Sequence, residues 1–293
     1  MEVRKAVIPA AGFGTRFLPA TKAQPKEMLV VVDKPLIQYS VEEAVQAGLK
    51  KIGLIISRRK ETIPDHFDET PELENFLEEK KKIELLEEVR RISHLADFCY
   101  IRQRQALGLG HAILMSEDFV GQEPFAVLLP DDIFDCPVPC IKQLIEVFRE
   151  KKATVIVLQR VDEDGMNKYG IIKPKPISDR LFQVEELVEK PGPAKAFSDL
   201  AVIGRYVFTP EIFEMIRRTP PDKRGEIQIT DAIQLLLEKQ PVYGLLFEGR
   251  RYDAGDKFGF LQATVELALK RKEFRERFLR FLQEVFSQEE VNF

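Results

Sequence analysis

The first stretch able to do chemistry is Ala10-Ala11-Gly12-Phe13-Gly14-Thr15-Arg16, which comes after a short apolar run. Its two glycines and small residues let backbone N–H groups turn toward an anion with no Cβ in the way. A dinucleotide fingerprint would need a third glycine where Phe17 stands. A P-loop would need a Lys-Ser or Lys-Thr pair after the second glycine, and the chain has none there. Pro19, Thr21, Lys22, Pro25, Lys26, Glu27 and Met28 come next instead, a proline-spaced loop carrying fixed cations. Arg16 offers a planar fork of donors and Lys26 a mobile point charge, an unlike pair suited to a triphosphate whose charge redistributes during reaction. The two glycines alone would be an ordinary turn; the ordered string makes the phosphate reading the better one.

The second stretch is Pro130-Asp131-Asp132, which ends the apolar run 125–129. Carboxylates at the C-terminal end of a buried strand lie where open α/β sheets bind ligands. Asp131 is the first candidate ligand for Mg²⁺, an ion that takes one or two carboxylates and fills its shell with phosphate oxygens and water. Asp132, Asp135 and Asp256 are expected to be helix caps, turn formers or surface charge. His66, His94 and His111 lack a metal spacing, and neither a Ser-His-Asp nor a Cys-His grouping can be assembled. Gln103, ahead of Gly108-Leu109-Gly110-His111, has an amide able to read the polar edge of a base. Taken alone it is more often a surface residue. Glu189-Lys190-Pro191 pairs an acceptor for sugar hydroxyls with a cation for a phosphate, or else is a solvated surface pair.

The elements that must position these groups alternate. Apolar runs at 3–8, 52–56, 98–101, 125–129 and 154–158 read as buried strands, separated by helical periodicity at 36–47, 109–117 and 141–148. That alternation predicts a mainly parallel sheet covered on both faces. After Val161 the runs 169–173, 181–188 and 201–208 predict antiparallel strands added to the sheet. Residues 71–91 read as one charged surface helix, and the chain from Asp256 onward as helical. There Phe274, Phe278, Phe281, Leu282 and Val285 form an apolar face that needs a cover, either the body or a second subunit.

The chain of 293 residues, 44% hydrophobic and 31% charged, can bury a substantial core. A net charge of -4 gives no general attraction to nucleic acid or an anionic membrane, so a phosphate ligand must be caught by a local site. Three unpaired-looking cysteines suit a reducing cytoplasm, and no apolar run is long enough for a membrane span.

The string Gly12-x-Gly14-Thr15-Arg16-x-x-Pro19-x-Thr21-Lys22-x-x-Pro25-Lys26-Glu27-Met28 resembles the signature of the sugar-1-phosphate nucleotidyltransferases. The likeness continues through Gln103 to His111, Leu129-Pro130-Asp131-Asp132, Glu189-Lys190-Pro191, Gly225-Glu226-Ile227-Gln228 and Tyr252-Asp253-Ala254-Gly255. Val30 departs from it, standing where many relatives carry proline, but removes no chemical group. The resemblance implies a single Rossmann-like α/β domain with a mixed, mainly parallel sheet, an antiparallel extension and C-terminal helices. It divides into a nucleotide-binding half (1–160), a sugar-binding half (161–255) and the helices of 256–293. It implies Mg²⁺ held by Asp131 and Asp253, catalysis by Arg16, Lys26 and Asp131, and nucleotide contacts from Ala10, Ala11, Gly12, Gly14, Thr15, Gln103 and Gly108. Gly170, Glu189, Lys190 and Val202 would meet the sugar phosphate. The implied substrates are UTP and glucose 1-phosphate, joined by direct displacement in a cytoplasmic homo-oligomer. Thymidylyl transfer and a non-catalytic nucleotide-sugar sensor are the alternatives.

Overall fold

A computed structural model describes residues 2–290. Nine strands form one sheet: β1 (Lys5–Ala10), β2 (Lys51–Ile56), β3 (Asp97–Arg102), β4 (Phe125–Leu128), β5 (Val155–Arg160), β6 (Gly170–Pro176), β7 (Leu181–Glu189), β8 (Leu200–Phe208) and β9 (Tyr243–Leu246). Their order is β3-β2-β1-β4-β8-β5-β9-β7-β6. The first four are mutually parallel, β8 runs antiparallel to both β4 and β5, and β9 is parallel to β5. The expected mainly parallel sheet with an antiparallel extension is therefore present. The extension also curls back: β6 pairs with β8 through Gly170 and Val202, closing a ring of five strands.

Alternate side chains of each strand enter opposite cores. Val7, Ile55, Val127 and Ile156 pack on one face, while Ala6, Ile8, Leu54, Leu128 and Val157 pack on the other against the helices Leu36–Gln46 and Cys140–Lys151. Both faces are covered, which is why these strands read as continuous apolar runs.

Two expectations are corrected. Residues 71–91 are not one helix but two, Pro71–Glu79 and Ile83–Ser93, broken where Lys81 takes a left-handed φ of 55°. Asp253 ends a separate strand, Arg250–Asp253, which pairs antiparallel with Asp132–Asp135 outside the main sheet, and it opens the turn in which the Gly255 N–H donates to Asp253 Oδ1 at 3.1 Å. Asp132 is neither a surface charge nor a cap but is buried, 4% exposed, because it faces Arg251. The C-terminal region is helical as expected, over Lys257–Lys270 and Arg275–Glu290. No helix among the described residues is long and apolar enough to cross a membrane.

Candidate active site

Parallel pairing in register brings the C-terminal ends of β3, β2, β1 and β4 to one edge of the sheet. The strand order reverses between β1 and β4, where a crevice forms in open α/β folds. Each strand delivers a different group there. β1 ends at the glycine loop, β3 runs into Gln103, and β4 into Pro130-Asp131. The result is a cleft of about 310 Å³ lined by Ala11, Gly12, Phe13, Lys26, Glu27, Gln103, Gly108 and Asp131, among others.

Gly12, Phe13 and Gly14 donate no backbone hydrogen bond among the described residues, so their N–H groups are available to an anion. Gly14 takes a φ of 66°, and a Cβ there would lie 3.0 Å from Lys26 Cβ, so glycine lets the loop fold onto the lysine. Lys26 Nζ lies 2.5 Å from Asp131 Oδ2. Burial works to lower the lysine's pKa, but Asp131 and Glu27 outweigh it and raise it. Burial likewise pushes the Asp131 carboxyl up, and Lys26 overcomes it to hold the group below the usual carboxylate range. Both groups are thus charged. Arg16 and Thr15 are exposed on the short turn Thr15–Phe17, outside the cleft lining, although the Arg16 charge is felt at Lys26.

The ribbon sets Asp253 directly opposite Asp132, one residue from Asp131. A Cβ on Gly255 would come within 2.6 Å of Asp131 Oδ2 and 3.2 Å of Asp253 Oδ1, so the two carboxylates share a cradle kept open by that glycine. Among the described residues no group of three or more His, Cys, Asp or Glu could hold a metal ion. Two carboxylates next to a phosphate-sized cleft suit Mg²⁺, which prefers hard oxygen ligands and completes its shell from the substrate. Arg251 organises the pair: its Nε is 2.6 Å from Asp132 Oδ1, and its Nη2 is 3.5 Å from Asp253 Oδ2, which also accepts from the Tyr169 hydroxyl. Burial, opposed by Arg251 and reinforced by Asp131 and Asp253, pushes Asp132 up to about 6.

A second cleft of about 180 Å³ adjoins the first, sharing Leu109 and Leu129. Strand register assembles it. Gly170 faces Glu189 on β7 and Val202 on β8, and all three line the cleft with Lys190, Thr230 and Arg251. Lys190 Nζ lies 2.6 Å from Glu189 Oε1. A Cβ on Gly170 would strike Thr230 Cγ2 at 2.8 Å, which explains a glycine at this wall.

The turn after Gln103 is joined to the Gly225-Glu226-Ile227-Gln228 segment. Ile227 donates to the Leu107 carbonyl at 2.8 Å, and Gly110 donates to the Ile227 carbonyl at 2.9 Å. Gly108, with φ 89°, approaches the same segment so closely that a Cβ would lie 3.0 Å from the Ile227 nitrogen. Gln103 is buried behind this turn.

Several contributors were not found by sequence reading. Arg205 is fully buried on β8, grips Glu43 Oε2 at 2.7 Å, and donates to the carbonyls of Leu129 and Asp132 at 2.9 Å each, pinning the segment that carries Asp131. Glu27 and Lys60 form a buried ion pair of 2.5 Å beside Lys26. A lone arginine within the apolar β8 run was the available signal for Arg205, since such a residue is buried only when paired. Nothing in spacing pointed to Lys60.

The family model described as nucleotidyl transferase matches residues 5–269. The chain is 51% identical to a UTP–glucose-1-phosphate uridylyltransferase of Bacillus subtilis strain 168, covering 99% of each chain. Among solved structures it is similar to a UTP-bound UGPase from Acinetobacter baumannii, with a TM-score of 0.89 and 38% identity over 96% of this chain and 99% of that one. It is also similar to a UDP-glucose pyrophosphorylase complexed with UDP-glucose, with a TM-score of 0.84 and 40% identity over 92% and 100% of the two chains.

Proposed function

The chain belongs to the nucleotidyl transferase family, and from that premise we infer that it transfers the uridylyl group of UTP to glucose 1-phosphate, yielding UDP-glucose and pyrophosphate. A phosphate oxygen of glucose 1-phosphate forms a bond to the α-phosphorus while the bond from that phosphorus to the bridging oxygen of the β-phosphate breaks. No protein nucleophile is required, only in-line positioning and compensation of charge.

The observation that carries this reading is the junction of two clefts, one with the glycine loop, Lys26, Gln103 and Asp131, the other with Gly170, Glu189, Lys190 and Val202. In the first, the free amides after Ala11 bind the triphosphate, with Arg16 reaching it from the exposed turn, and Lys26 compensates the α-phosphate as negative charge grows there. In the second, Glu189 accepts from sugar hydroxyls and Lys190 holds the phosphate of glucose 1-phosphate beside Asp131. Asp131 and Asp253 would hold Mg²⁺, which supplies Lewis-acid polarisation of the phosphates when bound. The nucleotide half (1–160) and sugar half (161–255) then each bring one substrate to the shared wall, and the protein works as a homo-oligomer in the cytoplasm.

Purified protein given Mg²⁺, glucose 1-phosphate and UTP should release pyrophosphate, and far less when dTTP replaces UTP. No release with either nucleotide would favour a non-catalytic sensor, and a dTTP preference would overturn the base assignment. A trapped uridylyl-enzyme adduct would overturn direct displacement.

A further inference from the structure

At the base end of the nucleotide cleft, Gln103 makes a contact that the displacement chemistry does not use. Its amide nitrogen lies 3.3 Å from the Gly108 carbonyl and 2.9 Å from His111 Nδ1. A carbonyl oxygen only accepts, so the first contact fixes which end of the amide is nitrogen. The second N–H of that nitrogen then meets a ring nitrogen that must carry a lone pair, which puts the histidine proton on Nε2. Burial lowers the His111 pKa and favours this neutral ring.

The other end of the amide is left over. Gln103 Oε1 makes no hydrogen bond within the chain among the described residues, yet no buried side-chain nitrogen or oxygen among them lacks a partner. Oε1 is therefore open, and Gln103 lines the cleft. What it offers there is an acceptor and nothing else. Uracil presents an N–H at N3, whereas cytosine presents a lone pair at N3.

We propose that His111 is a specificity-determining positioning residue: by accepting from the Gln103 amide it locks the carbonyl toward the base and so selects a uracil over a cytosine nucleotide. The proposal rests on the uridylyl reading. Gly108 and His111 lie three residues apart on one short helix, Gly108–Leu114, so both acceptors fall on the same face and clamp one nitrogen. Without His111 only the longer 3.3 Å contact to Gly108 opposes a turn of the amide that would let it donate to cytosine N3, so the preference weakens.

The test compares kcat/KM for UTP and CTP, with glucose 1-phosphate and Mg²⁺, in the natural protein, His111→Leu and His111→Asn. Asparagine can return an acceptor oxygen near the position of Nδ1. His111→Leu should narrow the UTP:CTP ratio about tenfold, the loss of one buried hydrogen bond, mainly through a higher KM for UTP with a smaller change in kcat. His111→Asn should keep the ratio within about threefold of the natural value. Because both nucleotides are measured in one preparation, the ratio does not depend on how much of a variant is folded. An unchanged ratio in His111→Leu, or an equal narrowing in both variants, overturns the proposal. Absence of pyrophosphate release with UTP from the natural protein would instead overturn the uridylyl reading.

Discussion

Lys26 and Asp131 are held 2.5 Å apart, yet the proposed reaction turns Lys26 toward phosphate and Asp131 toward the Mg²⁺ it would hold. Triphosphate binding therefore exchanges one ion pair for two new sets of contacts, with Lys26 moving to oxygen atoms whose charge grows in the transition state. Asp131→Asn keeps the shape of that carboxylate and removes its charge. We expect kcat to fall by about 10² to 10³, read as pyrophosphate release at saturating substrates; full Mg²⁺-dependent activity would remove Asp131 from the mechanism. Arg205 pins the segment of Asp131 from β8 and acts on the fold. Arg205→Met strands Glu43 without its guanidinium and should cost about 3–5 kcal/mol, measured by urea unfolding, where a loss below about 1 kcal/mol would show that the pair is not a structural anchor. At this scale the place of Asp131 in the cleft was legible, because the end of a buried parallel strand lies at the sheet edge where a ligand crevice forms. Arg251 was not: its importance comes from the Asp132–Asp253 register, which only folding supplies.

Among the elements, the parallel strands were readable because burial on both faces removes polar residues from them, whereas the ribbon Asp132–Asp135 with Arg250–Asp253 is too short and too charged to announce itself. The two-helix break at Lys80 to Lys82 was likewise hidden, since lysines are good helix formers and only the left-handed φ at Lys81 ends the first helix. The helix Thr62–Phe67 docks on Leu36–Gln46 through His66 Nε2, which lies 2.9 Å from Gln38 Oε1. Gln38 gives its amide N–H to Glu42, so the contact uses a His66 donor. Burial lowers the His66 pKa from 6.5, against a smaller opposing pull from Glu42. The unfolded chain then binds more protons than the native one as acid is added. The His66 contribution is complete above about pH 6.5 and is lost as pH falls through the depressed native value. Urea midpoints should therefore drop between about pH 7.5 and 5.5, and His66→Gln should shrink the drop; an equal drop in the variant would assign the effect elsewhere.

For the molecule as a whole, the C-terminal helix Arg275–Glu290 carries Phe281 and Phe286 at 55% and 66% exposure, and Phe258 and Leu261 of the preceding helix are exposed as well. Cover by a second copy is the proposed reason for this face. Phe281→Glu with Phe286→Glu should lower the sedimenting mass toward that of one chain, and a natural protein that already sediments as a monomer would refute self-association.

The strand β8 sets a further limit. One of its edges is divided, with Tyr206 and Val207 paired to β4 in the proposed nucleotide half and Ala201 and Val202 paired to β6 in the proposed sugar half. A jaw-like separation of these two stretches would have to tear these backbone pairs, so one ladder ties them together. The exposed loop after Ala11, where Gly12, Phe13 and Gly14 donate no backbone hydrogen bond among the described residues, can shift without breaking that ladder, which would make substrate exchange a local event beside a continuous sheet.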